Sequence, residues 1–193
     1  MICPIGKRPA LLIGPRHQVL SYDTSWIGRA LRRAAVAAGR ADFPCTDDLC
    51  VGIIHYLENN CPLNLLPIED LYVRIERMLR RIELGAIADH LTVLSPPVTL
   101  SLMSTIKDTG FGFELGFYQA LQTELEELRS YGVEKIRITD LRATVLHLRG
   151  QRRWTRNCTL LASEIETFIG RFITSRDDAP LRDITLSLET TSL

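Results

Sequence analysis

No stretch of this sequence approaches the roughly 20 consecutive apolar residues that a membrane-spanning helix needs, so none is expected. The first residues, Met1-Ile2-Cys3-Pro4-Ile5-Gly6-Lys7-Arg8, lack the apolar core of a secretory signal, because proline, glycine and charge interrupt it. A cytoplasmic location is therefore the default. Net charge is lacking as well: 23 Lys and Arg balance 23 Asp and Glu. No overall field then draws the chain to nucleic acid or to an anionic membrane. Lysine is scarce, with only Lys7, Lys107 and Lys135, so arginine carries nearly all the positive charge. The five cysteines are odd in number and scattered, which argues against a disulfide framework and for free thiols serving as small hydrophobes.

What remains is ordinary globular material. A chain of 193 residues that is 46% hydrophobic and 24% charged can bury one large core or two small ones. Ala10-Leu11-Leu12-Ile13 reads as a strand closed by the turn signal Gly14-Pro15. His17-Gln18-Val19-Leu20-Ser21-Tyr22 reads as a second strand, and the two make a hairpin with Arg16 and His17 near its tip.

Four helices follow. Asp23 or Thr24 caps the first, Trp26, Ile27, Ala30, Leu31, Ala34 and Ala38 form its stripe, and Gly39 ends it. Its arginines, Arg29, Arg32, Arg33 and Arg40, suit a solvated polar face, with an anion-binding face as the alternative. The second helix starts at Thr46 or Asp47, carries Leu49, Cys50, Ile53, Ile54 and Leu57, and stops at Asn59-Asn60-Cys61-Pro62. The third follows Leu66-Pro67, with Ile68, Leu71, Ile75, Met78, Leu79 and Ile82 inward. Its Arg74, Arg77 and Arg81 lie among Glu69, Asp70, Glu76 and Glu83, so pairing within the helix is expected. Gly85 sets off a fourth helix over residues 86–94, which Pro96-Pro97 ends.

A hairpin, a helix opened by Asp23-Thr24-Ser25-Trp26-Ile27 and three short helices together resemble the ATP-cone module. Pro67-Ile68-Glu69-Asp70-Leu71, followed by Ile75-Glu76-Arg77-Met78-Leu79, is similar to that module's third-helix pattern. Gly85-Ala86-Ile87-Ala88-Asp89-His90-Leu91 is similar to its final helix. The resemblance covers residues 10–95. It implies a regulatory nucleotide-binding module of the kind found at the N-terminus of ribonucleotide reductases and in the repressor of their genes, with ATP or dATP as the cofactor. The family's chemical signature is a basic Lys-Arg-Asp-Gly turn in the hairpin. Here Gly14-Pro15-Arg16-His17 stands in that place, leaving Arg16 and His17 as the candidate phosphate contacts. The missing Lys-Arg pair removes charge-assisted donors, so the scaffold retained without its ligand is a rival reading. The chain has neither the reductase catalytic domain nor the repressor's cysteine ribbon.

Residues 96–193 read as an α/β unit of β-α-β-α-β order. Val98-Thr99-Leu100-Ser101-Leu102-Met103 alternates like a half-buried strand. Asp108-Thr109-Gly110-Phe111-Gly112-Phe113 is a glycine-aromatic loop whose phenylalanines are expected to pack on the core, since it matches neither dinucleotide-binding nor Walker patterns. A helix over 114–131 carries Leu115, Tyr118, Leu121, Leu125 and Leu128, and Gly132 ends it before a strand over 133–139. A parallel crossover is the usual solution for such a unit. Residues 140–149 suit either a helix or an extended continuation, and the extended form is expected. A helix over 157–174 turns Leu160, Leu161, Ile165, Phe168, Ile169 and Phe172 inward, and residues 183–189 form a last strand. The fold class is thus α+β: a hairpin with four helices over 1–95, then a small sheet with two long helices over 96–193.

Catalytic and metal motifs are sparse. Cys45, Cys50, His55 and Cys61 have ligand chemistry but not the tight spacing of a structural zinc site, so no metal is expected. Cys158 with His147 as base is weighed against a structural thiol, and the structural reading is preferred. Arg149, Arg152, Arg153 and Arg156 surround Trp154, a pattern that serves phosphate and base contacts, yet the neutral chain favours a solvated connection. The expected function is a non-catalytic regulatory or binding protein. Its expected partners are a nucleotide and further copies of itself, with no membrane and little place for nucleic acid. The alternatives are a scaffold without a ligand and a small enzyme with its site near residues 108–113.

Overall fold

A computed structural model of the protein describes residues 8–41, 43–109, 113–174 and 183–186. The chain divides into two compact units, Met1–Pro96 and Pro97–Leu193.

In the first unit, β1 (Ala10–Ile13) and β2 (His17–Val19) form the antiparallel hairpin, with Leu11 opposite Val19 and Ile13 opposite His17. A third strand, β3 (Leu65–Pro67), pairs parallel to the other edge of β1. The sheet order is therefore β2-β1-β3, which makes β1 central and leaves Leu11 and Ile13 fully buried. The sequence reading treated Leu66-Pro67 only as the lead into a helix. Three residues carry too little alternation to announce a strand, and the open edge of β1 is what recruits them.

Helix α1 (Ser25–Ala37) starts where Asp23 Oδ1 accepts from the Ser25 amide at 3.0 Å and from Ser25 Oγ at 2.7 Å. It buries Trp26, Ile27, Ala30, Leu31, Ala34 and Ala35. At its end the Gly39 amide donates to Val36 O and the Arg40 amide to Ala35 O. That pattern needs a left-handed residue between them, and Gly39, at φ +73°, supplies it. Helix α2 (Thr46–His55) runs on into a π-helical turn, Tyr56–Asn60, before the chain enters β3. Helix α3 (Ile68–Arg81) buries Ile68, Leu71, Ile75 and Leu79, while Ile82 just beyond it is 46% exposed. Helix α4 spans Gly85–Asp89, shorter than the expected 86–94. The Tyr72 hydroxyl donates to Leu94 O at 2.9 Å and accepts from the Leu94 amide at 2.8 Å, and its ring lies 6.2 Å from that of Trp26.

In the second unit, β4 (Val98–Ser101) leads directly into α5 (Leu102–Thr109). Leu102 and Met103 thus open a helix rather than prolong the strand. After α6 (Glu114–Ser130) come β5 (Lys135–Thr139), α7 (Leu141–Leu148), α8 (Arg156–Thr174) and β6 (Asp183–Leu186). All three strands are parallel in the order β4-β5-β6. Their register sets Val98 beside Ile136 and Leu100 beside Ile138, so one face is apolar and buried. The fold is α+β.

Further expectations fail in this unit. Residues 141–148 are helical, not extended, because Asp140 takes a left-handed backbone (φ +66°) and turns the chain out of β5. Leu141, Thr144 and Val145 then bury one helical face. On α6 Leu121, Leu125 and Leu128 are buried as expected, but Leu115 is 71% exposed and Phe117 is buried in its stead. On α8 Leu160 is 55% exposed, whereas Cys158, Leu161, Ile165 and Ile169 are buried.

The end of α3 repeats the α1 ending, with the Leu84 amide donating to Leu79 O at 2.9 Å, but Glu83 occupies the left-handed position at φ +63°. Replacing Glu83 by glycine removes the Cβ strain there. The Glu83→Gly variant is expected to be more stable by roughly 0.5–1 kcal/mol, measured as a rise in urea midpoint with unchanged slope.

Candidate functional site

The two residues singled out for a ligand sit together at the hairpin tip. Arg16 is exposed in the turn that Gly14 opens at φ +59°, and half-buried His17 begins β2 opposite Ile13. Both residues already have interactions within the protein. At the base of the hairpin, Arg8 donates to Glu58 Oε1 through Nε (2.9 Å) and Nη2 (2.6 Å), and the Tyr22 hydroxyl donates to Pro9 O at 3.0 Å. The cation nearest the strand entrance is thus committed to a carboxylate. On α1, Arg32 reaches Asp47 at 3.5 Å, and Arg29 and Arg33 also have partners. The anion-binding face weighed for this helix is therefore largely engaged by the protein itself.

A feature missed in the sequence lies between α2 and α3. An open groove of about 460 Å³ has Ile53, Leu71 and Ile75 among its lining, with Arg74, Arg77 and Arg81 along it. The expected pairing of these arginines within α3 does not form. Arg80 takes that role instead, bonding Glu76 at 2.9 Å and Asp89 at 2.8 Å. Arg74 donates to the Tyr56 hydroxyl at 2.5 Å and lies 6.0 Å from its ring centroid. The signal was present in the spacing: neither Arg77 nor Arg81 has a carboxylate three or four residues away on α3.

The carboxyl ends of β4 and β5 carry a polar cluster that sequence reading also missed. The Ser101 hydroxyl donates to Asp140 Oδ2, and Thr139 Oγ1 lies 3.4 Å from the same oxygen. The Ser104 amide donates to Ser101 Oγ at 3.3 Å, while the Thr105 hydroxyl donates to buried Glu124 at 2.7 Å. Strand ends of parallel sheets are common ligand positions. Here, however, these groups cap α5 and hold Asp140 in its left-handed conformation.

The remaining candidates separate. Cys158 is fully covered, donates to Gln151 Oε1 at 3.2 Å and lies 3.4 Å from Thr155 Oγ1. The Thr155 hydroxyl, followed by Arg149 and Arg142, lowers its pKa against the opposing effect of burial. His147 is exposed and forms no bond to Cys158, so no thiol–imidazole pair is built. Cys45 is exposed, contrary to its expected burial, and burial raises the Cys50 thiol. Among the described residues no three His, Cys, Asp or Glu side chains converge on a metal position. Trp154 is engaged by Arg142, 5.2 Å from its ring, and donates to Thr159 at 3.0 Å, while Arg149 pairs with Glu114 at 3.0 Å. Residues 110–112 of the glycine-aromatic loop lie outside the described residues. Phe113 is 74% exposed rather than packed on the core.

Comparison with known protein families, with curated proteins and with solved structures finds no match for the chain.

Burial pushes the Tyr22 phenol from 10.0 up to about 12; Arg8 pulls it down, and Cys61 and Glu58 add to the rise. A raised phenol pKa favours the folded state below the unfolded value, and that contribution is lost as pH climbs from 10.0 to about 12. Tyr22→Phe is expected to cost about 1 kcal/mol at neutral pH through the lost bond to Pro9. Urea titrations from neutral pH upward should show a shallower alkaline loss in the variant, with the residual slope coming from Tyr118, also raised to about 12 by burial. Equal slopes would remove Tyr22 from the alkaline response.

Proposed function

We propose that the protein is a non-catalytic regulatory or binding protein whose first unit is an ATP-cone-like module. The observation that carries this reading is the order and pairing of its elements: the β1–β2 hairpin, α1, α2, then α3 and α4. Apart from β3, which joins β1 between α2 and α3, that is the succession the sequence resemblance implies for residues 10–95. The ligand assigned to the module is a nucleoside triphosphate, ATP or dATP, with its phosphates at the hairpin turn. Arg16 offers a planar donor fork suited to phosphate oxygens, and His17 offers an imidazole N–H.

A second reading is an assembly protein that keeps the scaffold without a nucleotide. It is favoured by the turn Gly14-Pro15-Arg16-His17, which has lost the paired cations of the module's signature, and by the commitment of Arg8 to Glu58. Further copies of the chain are the natural partner under that reading.

Isothermal titration with ATP, ADP and dATP separates the two. The nucleotide reading predicts saturable heat at micromolar protein, and Arg16→Ala should weaken the affinity by about tenfold, the loss of one charge-assisted contact of roughly 1.5 kcal/mol. Absence of heat with all three nucleotides, together with a stable oligomer insensitive to them, would leave the assembly reading.

A further inference from the structure

The groove between α2 and α3 has the composition of a docking site. Its floor is apolar: Ile53, Leu71 and Ile75 are buried beneath it, and half-buried Met78 and Ile82, 46% exposed, supply the accessible surface. Its α2 wall is low because position 52 is glycine, where an added Cβ would meet nothing within 4 Å. Its α3 side carries Arg74, Arg77 and Arg81 at positions i, i+3 and i+7, a single row along one face of the helix. Arg77 and Arg81 stand four residues apart with like charge, which weakens an isolated helix. Among the described residues neither makes an ion pair or hydrogen bond, whereas Arg80 on the same helix is held by both Glu76 and Asp89.

We propose that this groove receives an acidic amphipathic helix from a partner protein. Such a helix would lay an apolar stripe over the accessible Met78 and Ile82 and align carboxylates with Arg77 and Arg81. Three features favour a helix over other occupants. The groove runs along α3 rather than closing into a cavity that would enclose a small molecule. Its rim charges advance along α3 in steps of about 4.5 and 6 Å, from three and four residues at a rise of about 1.5 Å each. A docked helix presents carboxylates at the same intervals. The charges flank apolar floor instead of forming the broad cationic face that a phosphate polymer or lipid surface demands. Arg74 is fixed against Tyr56, so Arg77 and Arg81 are the specificity-setting pair. This inference stands independently of nucleotide binding at the hairpin.

The test uses the full chain against a displayed library of helical peptides about 16 residues long, a length of roughly four turns. The most enriched peptide is then titrated by fluorescence anisotropy. Enriched sequences should carry carboxylates three or four residues apart, to meet Arg77 and Arg81, beside an apolar stripe. Arg77→Glu/Arg81→Glu should weaken binding at least tenfold without lowering the melting temperature. Gly52→Leu, which raises helix propensity but fills the groove, should also weaken binding while the protein becomes no less stable. Enrichment of peptides without carboxylates, or equal affinity for the charge-reversed variant, overturns the proposal. So does self-association in sedimentation that depends on the same arginines, which would make a second copy the occupant. Capture by phosphatidylglycerol vesicles with no peptide bound would assign the row to lipid and overturn it as well.

Discussion

The Tyr72 hydroxyl gives its proton to the Leu94 carbonyl and takes one from the Leu94 amide, and much of the first unit rests on that exchange. Leu94 is 4% exposed, so without the phenol both of its backbone groups would be buried and unpaired, at roughly 1–3 kcal/mol each. The same ring packs against Trp26, which is wholly buried on α1. One side chain on α3 thereby ties the first helix of the unit to the stretch that leads to Pro96 and Pro97. It lets a four-residue central strand, with short neighbours on both edges, support helices that would not hold together on local propensity alone.

Charge is arranged with equal economy around this frame. Arg8 is committed to Glu58, Arg32 to Asp47, Arg80 to Glu76 and Asp89, and Arg149 to Glu114. A chain of zero net charge has no long-range field, so recognition must come from local arrangements of its arginines. Two such places matter: the hairpin turn with Arg16 and His17, and the row of Arg77 and Arg81 beside an apolar floor. The first carries the nucleotide reading and the second carries partner docking. They lie on different elements of the same unit.

Much of the fold was legible because its signals are local. The Gly39 and Gly132 stops, the apolar periods of α1 and α3, and the parallel β4–β5 pairing after a helical crossover all follow from residue spacing. What escaped reading depends on distant partners. Strand β3 exists because β1 has an open edge. Helix α7 exists because Asp140 bends left-handed where Ser101 and Thr139 can hold it, and Arg142-Ala143-Thr144-Val145-Leu146 alone fits either state. Only the first turn of α6 was misassigned: Leu115 and Phe117 are both apolar, and only packing chooses Phe117. The site was legible in part. The hairpin that carries Arg16 and His17 was legible, whereas the groove depends on Tyr56 drawing Arg74 aside and on Gly52 leaving the wall low.

The account's central claim concerns what the hairpin turn holds. A crystal structure grown with ATP or dATP addresses it most directly. The prediction is phosphate density within hydrogen-bonding distance of Arg16 and His17, with the base directed toward α1. A structure at saturating nucleotide with that turn empty, or with nucleotide bound only elsewhere, would contradict it.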